Sequence, residues 1–250
     1  MKKLPLAANM LLYQFLQHDG DHFGYNIVAL LDESEKTALL IDTAWEEEAA
    51  AVRNDLEADG YKIERVILSH FHDDHLFGLR SLPGVERIGS KAYETDLHKY
   101  SSKDNWSLFS PTTIIDEDSV IRFGNHLVTF RHAPGHSPCS IYSIVNDAFV
   151  HVADNIMTSN DGHDLLPWAT FENVLDHIHS LELLREYAGH TILPSHGTPI
   201  EEESVLLEAI GNRVKYLQAV HEGNGAICFE EAAENCTCDF LYTWHIVKED

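Results

Sequence analysis

The sequence is poor in basic side chains. Its 250 residues hold 17 Lys and Arg against 41 Asp and Glu, a formal net charge of −24. A surface of that sign repels phosphate backbones, and no local run of Lys or Arg offsets it, which argues against nucleic acid as a partner. Long apolar runs are missing too. None reaches the roughly 18 residues that a membrane span needs, so no membrane partner is expected. Residues 1–9 carry two lysines but no sustained apolar stretch. No secretory signal is read there, and a cytoplasmic location is the expectation. Cysteine is scarce: Cys139, Cys228, Cys236 and Cys238. Reduced thiols are expected. Cys236-Thr237-Cys238 is too closely spaced for an ordinary zinc knuckle, with a redox or metal role for the pair as the alternative. Cys139 has no base obviously paired with it and reads as a small buried residue rather than a nucleophile.

What is present suits a globular chain. Hydrophobic residues make up 44 %, and the length allows one large domain over residues 1–250, with 201–250 a helical C-terminal extension. Strand-like runs fall at about residues 11–16, 25–31, 37–41, 66–68, 120–123, 127–132, 140–145 and 148–152. Asn146-Asp147 is a hairpin turn between the last two. A helix follows Ile41, with Thr43 as its cap, Ala49, Val52 and Leu56 on one face and Gly60 at its end. A second runs from near Thr170 to before Gly189, with Val174, Leu175, Ile178, Leu181 and Leu184 as its buried stripe. A third spans about residues 201–222, with Leu206, Ile210, Val214 and Leu217 inward. Residues 98–111 are polar and aromatic and read as an insertion. The stretch from Asn224 to Asp250 is expected either to pack as a cap or to extend from the body.

The most informative string is His70-Phe71-His72-Asp73-Asp74-His75, directly after the apolar run Val66-Ile67-Leu68. Residues two apart in an extended loop project to one side, so His70 and His72 can grip one ion. Asp74 and His75 follow a turn and can reach a second ion beside it. Imidazole and carboxylate suit zinc, iron or manganese. Further candidates sit after later strand-like runs, beside Gly, Pro or Ser: His136, Asp154 and His196.

This H-x-H-x-D-H string, with the three later motifs in order, resembles the signature of the metallo-β-lactamase fold superfamily, over residues 23 to 196. The resemblance implies an α+β fold, an αββα sandwich of two mixed sheets flanked by helices with the metal loops along one edge. It implies two divalent ions, zinc foremost, with iron or manganese as alternatives. His70, His72 and His136 would hold the first ion, Asp74, His75 and His196 the second, and Asp154 would bridge them. Asp42 matches the family's early aspartate, which supports the metal loop from behind. Ala44 stands where the family commonly has Gly, and Cys139 where relatives often carry Gly.

Chemically, such a centre is expected to make a metallo-hydrolase in which a shared hydroxide attacks a small thioester, lactone or related carboxylic derivative. Asp74 is the candidate to orient that nucleophile or shuttle its proton. The resemblance is to the glyoxalase II-like and lactonase-like branch. The lactonase branch often has Asp after the last His, where this chain has Gly197, and the full helical domain of glyoxalase II is not apparent after His196. The alternatives are a mononuclear-iron persulfide dioxygenase using His70, His136 and Asp154, or a phosphodiesterase of the same fold. A metal-binding protein without activity is opposed by the complete ligand set. Trp45, Phe71, Phe77, Trp106 and Trp168 are candidates to line the pocket, Phe71 and Trp168 first. Among the other histidines, His132 is weighed as a support for the ligands and His163 as a substrate contact. His151 is expected to be an ordinary core or surface histidine, and His177 and His179 to be solvated.

Overall fold

The computed structural model describes residues 1–243 and 245–248. Its first half is a seven-stranded sheet. Strands β1 (Lys2–Ala7), β2 (Met10–Gln14), β3 (Asn26–Asp32) and β4 (Thr37–Ile41) form an antiparallel meander. Helix α1 (Glu46–Ala58) then crosses to β5 (Lys62–Ile67), which lies parallel to β4. The short α2 (Asp73–Leu76) precedes β6 (Glu86–Ser90). Helices α3 (Glu94–Tyr100) and α4 (Trp106–Phe109) occupy the polar, aromatic stretch before β7 (Thr113–Ile115).

The second half repeats the scheme. Strands β8 (Val120–Phe123), β9 (His126–His132), β10 (Ile141–Val145) and β11 (Phe149–His151) run antiparallel. Asn146 and Asp147 turn the β10–β11 hairpin with φ of 56° and 52°, the left-handed pair that a tight hairpin requires. Next come β12 (Met157–Thr158), β13 (Asp164–Leu166), α5 (Val174–Leu184) and β14 (Thr191–Leu193), the last pairing parallel with β11. The chain continues through α6 (Glu203–Glu222), α7 (Phe229–Ala232) and β15 (Tyr242–Thr243). Strand β15 joins β12 and β13 in a small third sheet, so the segment after Asn224 packs back on the body.

Three apolar layers follow from strand alternation. Val28 and Leu30 of β3 face Val128, Phe130 and Val145 of the second sheet, the filling of the sandwich. Ile27, Ala29 and Leu31 point the other way, onto Val52 and Leu56 of α1. The outer face of the second sheet is covered by Leu181 and Leu184 of α5 and Leu206, Ile210 and Leu217 of α6. Each fully buried side chain of this size contributes roughly 1.5–3 kcal/mol. Arg213 of α6 is fully buried. It donates to Asp164 Oδ1 at 2.6 Å, Met157 O at 2.7 Å and Leu165 O at 2.9 Å, which clamps the loop that follows Asp154.

The sequence expectations need four corrections here. β1 lies where no strand was expected. Thr43 is not a helix cap: α1 begins three residues later after Trp45, and Thr43 Oγ1 donates to His75 O at 2.7 Å instead. Leu175 is 55 % exposed, and His177 is buried in its place because its ring packs towards Asn155 and Gly135. Phe71 lies wholly inside the layer under α1 and lines no pocket: it alternates with His70 and His72, so it points away from them.

Candidate metal centre

Four strand ends and one helix turn deliver the candidate ligands to one edge. β5 ends at Ile67 and releases His70 and His72; α2 presents Asp74 and His75. The β9–β10 loop brings His136, the turn after β11 brings Asp154, and the turn after β14 brings His196. All seven converge.

At one end, His72 Nδ1 lies 3.1 Å from His70 Nε2 and 2.9 Å from His136 Nε2. At the other, Asp74 Oδ1 is 3.5 Å from His75 Nε2, and Asp74 Oδ2 is 3.4 Å from His196 Nε2. Asp154 lies between. Its Oδ2 is 3.5 Å from His136 Nε2 and 3.3 Å from His196 Nε2, and its Oδ1 is 3.5 Å from His75 Nε2.

A divalent cation fits this arrangement. Metal–nitrogen bonds near 2.1 Å in a tetrahedron put neighbouring donor atoms about 3.4 Å apart, close to the separations found here. His75 Nε2, His196 Nε2 and Asp154 Oδ1 are buried with no hydrogen-bond partner. Buried polar atoms without partners are costly unless something else occupies them. Three groups of side chains have all their donor atoms within 4.8 Å of one another: His70, His72 and His136; His70, His75 and Asp154; and Asp74, His75 and His196.

The outer nitrogens explain why the inner ones stay available. His75 Nδ1 donates to Asp42 Oδ2 at 2.8 Å, His196 Nδ1 to Gly24 O at 2.8 Å, and His136 Nδ1 to Trp168 O at 2.5 Å. A hydrogen on the outer nitrogen leaves the lone pair on the inner one whenever the ring is neutral. Asp42 is held in turn by Ser69 N and Oγ and by Ser195 Oγ. It sits in a tight turn, with φ of +60° at Asp42 and +50° at Ala44. Ala44 therefore adopts at some strain the conformation that glycine takes freely. Gly197, with φ of +100°, leaves no room for a side chain, because a Cβ there would overlap Thr158. This chain cannot carry an aspartate after its last ligand histidine without moving the Thr158 turn.

The two ends differ in charge. Burial, with the neighbouring rings, lowers His70 well below the ordinary imidazole value; burial brings His72 and His136 to about 4 even against nearby carboxylates. Burial also disfavours a charge on His75 and His196. There Asp154 and Asp74 outweigh it, raising His75 well above its ordinary value and His196 to about 10. Asp74 is lowered to about 2, burial being overcome by the His75 and His196 rings.

Several contributors carried little sequence signal. His151 is fully buried, with Nε2 3.7 Å from Asp42 Oδ2. Asn155 donates to Ala133 O and to Tyr142 Oη, which fixes the His136 loop against the Asp154 turn. The Tyr100 ring stands 4.8 Å and Trp168 6.2 Å from His72, edge to face, and with Asp73 they line a pocket of about 240 Å³. Trp106 instead stacks on His98 at 3.7 Å. His132 is exposed and bonds Pro138 O, so it supports none of the seven, and His163 is exposed beside Asp161. Cys139 is buried in contact with Ser137 and Asp96. Among the described residues the four cysteines form no disulfide.

Comparison with known proteins agrees with this geometry. A beta-lactamase-like protein 2 homolog of Drosophila melanogaster is 26 % identical over 66 % of this chain and 56 % of its own length. A hydroxyacylglutathione hydrolase of Bartonella henselae is 25 % identical over 74 % and 65 %. A mitochondrial persulfide dioxygenase of Mus musculus is 30 % identical over 56 % and 50 %. The chain thus spans between half and two-thirds of these relatives. The solved structure of a metallo-beta-lactamase from Pontibacter korlensis superposes with a TM-score of 0.69 over 87 % of this chain and 98 % of its own, at 14 % identity. That likeness shows a shared fold. The family model described as the metallo-beta-lactamase superfamily matches residues 23–196, a span that holds every one of the seven converging side chains. The chain belongs to the metallo-beta-lactamase superfamily.

Proposed function

We propose that the protein is a dinuclear metal-dependent hydrolase of small carboxylic derivatives, thioesters or lactones foremost. The observation that carries this is Asp154, whose two oxygens face both the His136 end and the His75–His196 end of the centre. His70, His72 and His136 would hold one divalent ion, Asp74, His75 and His196 the other, with zinc the foremost candidate. When bound, such ions acidify a water and polarise the attacked carbonyl.

The chain's own residues do the rest. Asp74 keeps about a fifth of its side chain open while His75, Asp154 and His196 are closed, so it can orient the attacking water and take its proton at Oδ1 or Oδ2. Trp168 is held beside the centre through its backbone carbonyl on His136, and with Tyr100 it offers an apolar wall to the acyl group. No basic cluster lines this pocket, which suits a small, largely apolar substrate and not a nucleic acid. The free thiols accord with a cytoplasmic setting. The relatives named hydroxyacylglutathione hydrolase favour a thioester.

A second reading has its own support. His70 Nε2 and His136 Nε2 lie 3.9 and 3.5 Å from Asp154 Oδ2, a two-histidine, one-carboxylate set of the kind that holds iron. A persulfide dioxygenase is among the relatives. The test is elemental analysis of the purified chain, with a panel of thioesters, lactones, phosphodiesters and glutathione persulfide run on zinc, manganese and iron forms. Two ions and oxygen-independent hydrolysis are expected. Oxygen uptake with persulfide faster than every hydrolysis would replace the hydrolase by the dioxygenase.

A further inference from the structure

A groove of about 660 Å³ opens between the loop after β2 and the first turn of α1. Its size is that of a small-molecule site. The floor is aromatic. Trp45 and Phe77 meet edge to face with centroids 5.4 Å apart. The walls are acidic: Asp19 on the loop, then Glu46, Glu47 and Glu48 on α1.

Part of this acidity has an ordinary cause. Carboxylates in a first helical turn are stabilised by the helix dipole, and Glu46 pairs with Arg80 at 2.9 Å. Three features are left over. Asp19 and Glu47 pair with no cation among the described residues. Glu48 is only 7 % exposed, yet while its Oε1 meets His18 Nε2 at 2.8 Å, its Oε2 has no donor. His18 meets only one oxygen of this carboxylate, and the other, beside a ligand-sized groove, keeps an acceptor that nothing answers. The ring below already serves the chain as a cation platform, since the Arg80 guanidinium sits 4.1 Å from the Phe77 centroid.

We propose that this groove binds an organic cation, an ammonium or quaternary ammonium group carried on an apolar body. With Arg80 already on Phe77, Trp45 is the ring that would meet such a group, and the carboxylates supply the opposite charge. A neutral apolar ligand would leave the acids unanswered, and an anion would be repelled. A bare metal ion would make no use of the rings.

The groove is one aromatic layer from the metal centre. Trp45 packs on Tyr25 at 6.4 Å, and Tyr25 on His196 at 5.5 Å. The cation is therefore either a limb of the substrate or a separate effector, and the chemistry that binds it is the same.

Binding is tested on the full chain without any activity assay, so it stands apart from the hydrolase reading. Choline is titrated while the indole N–H signal of Trp45, identified by its loss in Trp45→Phe, is followed by NMR. The neutral isostere 3,3-dimethylbutanol is the control. Saturable binding of choline is expected, about tenfold tighter than the isostere. Glu48→Gln should weaken it several-fold. The exposed pair Asp19→Asn and Glu47→Gln, which leaves the core untouched, should weaken it too. No saturable shift, equal affinity for the isostere, or unchanged affinity in both variants would overturn the proposal. With a hydrolytic substrate in hand, competitive inhibition by choline identifies a substrate limb, and undisturbed hydrolysis with binding intact identifies an effector. Either result supports the cation site.

Discussion

The two ends of the metal centre are built from different chemistry. His70, His72 and His136 form a trio of neutral rings, kept so by burial and by one another. His75 and His196 sit among Asp74, Asp154 and Asp42, and those carboxylates hold positive charge on them. The first end is a preformed set of lone pairs. The second is a negative hole that protons fill until something better arrives. Asp154 reaches both, and His70 also stands within ligand distance of His75, so the two ends are distinguishable but not independent.

The largest effect should come from removing that link. Asp154→Ala takes away an oxygen from each end at once, leaves His196 without its closest counter-charge, and leaves His75 with Asp42 and Asp74 alone. Metal content is expected to fall at both positions. The loss in affinity should be at least about a hundredfold, since even partners one step behind a ligand are worth ten- to hundredfold. Elemental analysis after dialysis decides it. Loss of a single ion would show that Asp154 belongs to one end only.

Next come the variants that should separate the ends. His196→Ala should empty the position of Asp74 and His75 and leave the other filled; His136→Ala should do the reverse. Crystals soaked in zinc would show which position keeps density. If both variants lose the same ion, the division into two trios is wrong.

This contrast was only half legible in the sequence. The converging side chains themselves were, because H-x-H-x-D-H after a strand, followed by His136, Asp154 and His196 at later strand ends, is a pattern of residue types and spacing. So were the helix faces of α1 and α6, where the apolar stripe is unbroken. α5 misled because its stripe includes a histidine: His177 takes the inward position that Leu175 seemed to hold. Phe71 misled because being next to ligands in sequence says nothing about which side of an extended loop a ring occupies. The supports at the back of the centre come from places no local pattern connects. Gly24 O, Trp168 O and Ser195 reach their histidines or Asp42 across 172, 32 and 153 residues.

Acidity should sharpen the comparison further. Protons compete with metal only where the rings hold them. His70, His72 and His136 are lowered, the latter two to about 4, so they are unprotonated from pH 8 down to about 5 and their ion should be retained. His196 is raised to about 10 in the metal-free protein, so an ion there must displace a proton across the whole range. Affinity at that end should fall about tenfold per proton for each pH unit lowered. Metal titrations at pH 8, 7 and 6 should show the second ion weakening and the first unchanged. Equal weakening at both ends would mean that the charge difference does not govern binding.

The finest test leaves every ligand in place. Asp42 accepts from Ser69 N, Ser69 Oγ, Ser195 Oγ and His75 Nδ1. Asp42→Asn keeps the shape and suits the turn, since asparagine tolerates the left-handed φ of +60° found there. It replaces one acceptor oxygen by a donor. If the amide nitrogen faces His75, that ring must turn its Nδ1 into an acceptor, and the hydrogen moves to Nε2, the atom that faces the metal. If the amide is flipped, its nitrogen meets the Ser69 N–H and the loop carrying His70 must shift. The first arrangement disturbs one backbone contact less and should prevail. The second position should then lose about ten- to hundredfold in affinity while the first holds its ion. Nitrogen-15 spectra of the histidine side chains would show His75 of the metal-free variant as a neutral ring with its hydrogen on Nε2, where the parent holds the ring protonated on both nitrogens. Equal loss of both ions, or a His75 ring still protonated on both nitrogens, would show that Asp42 serves the whole loop rather than one end of the centre.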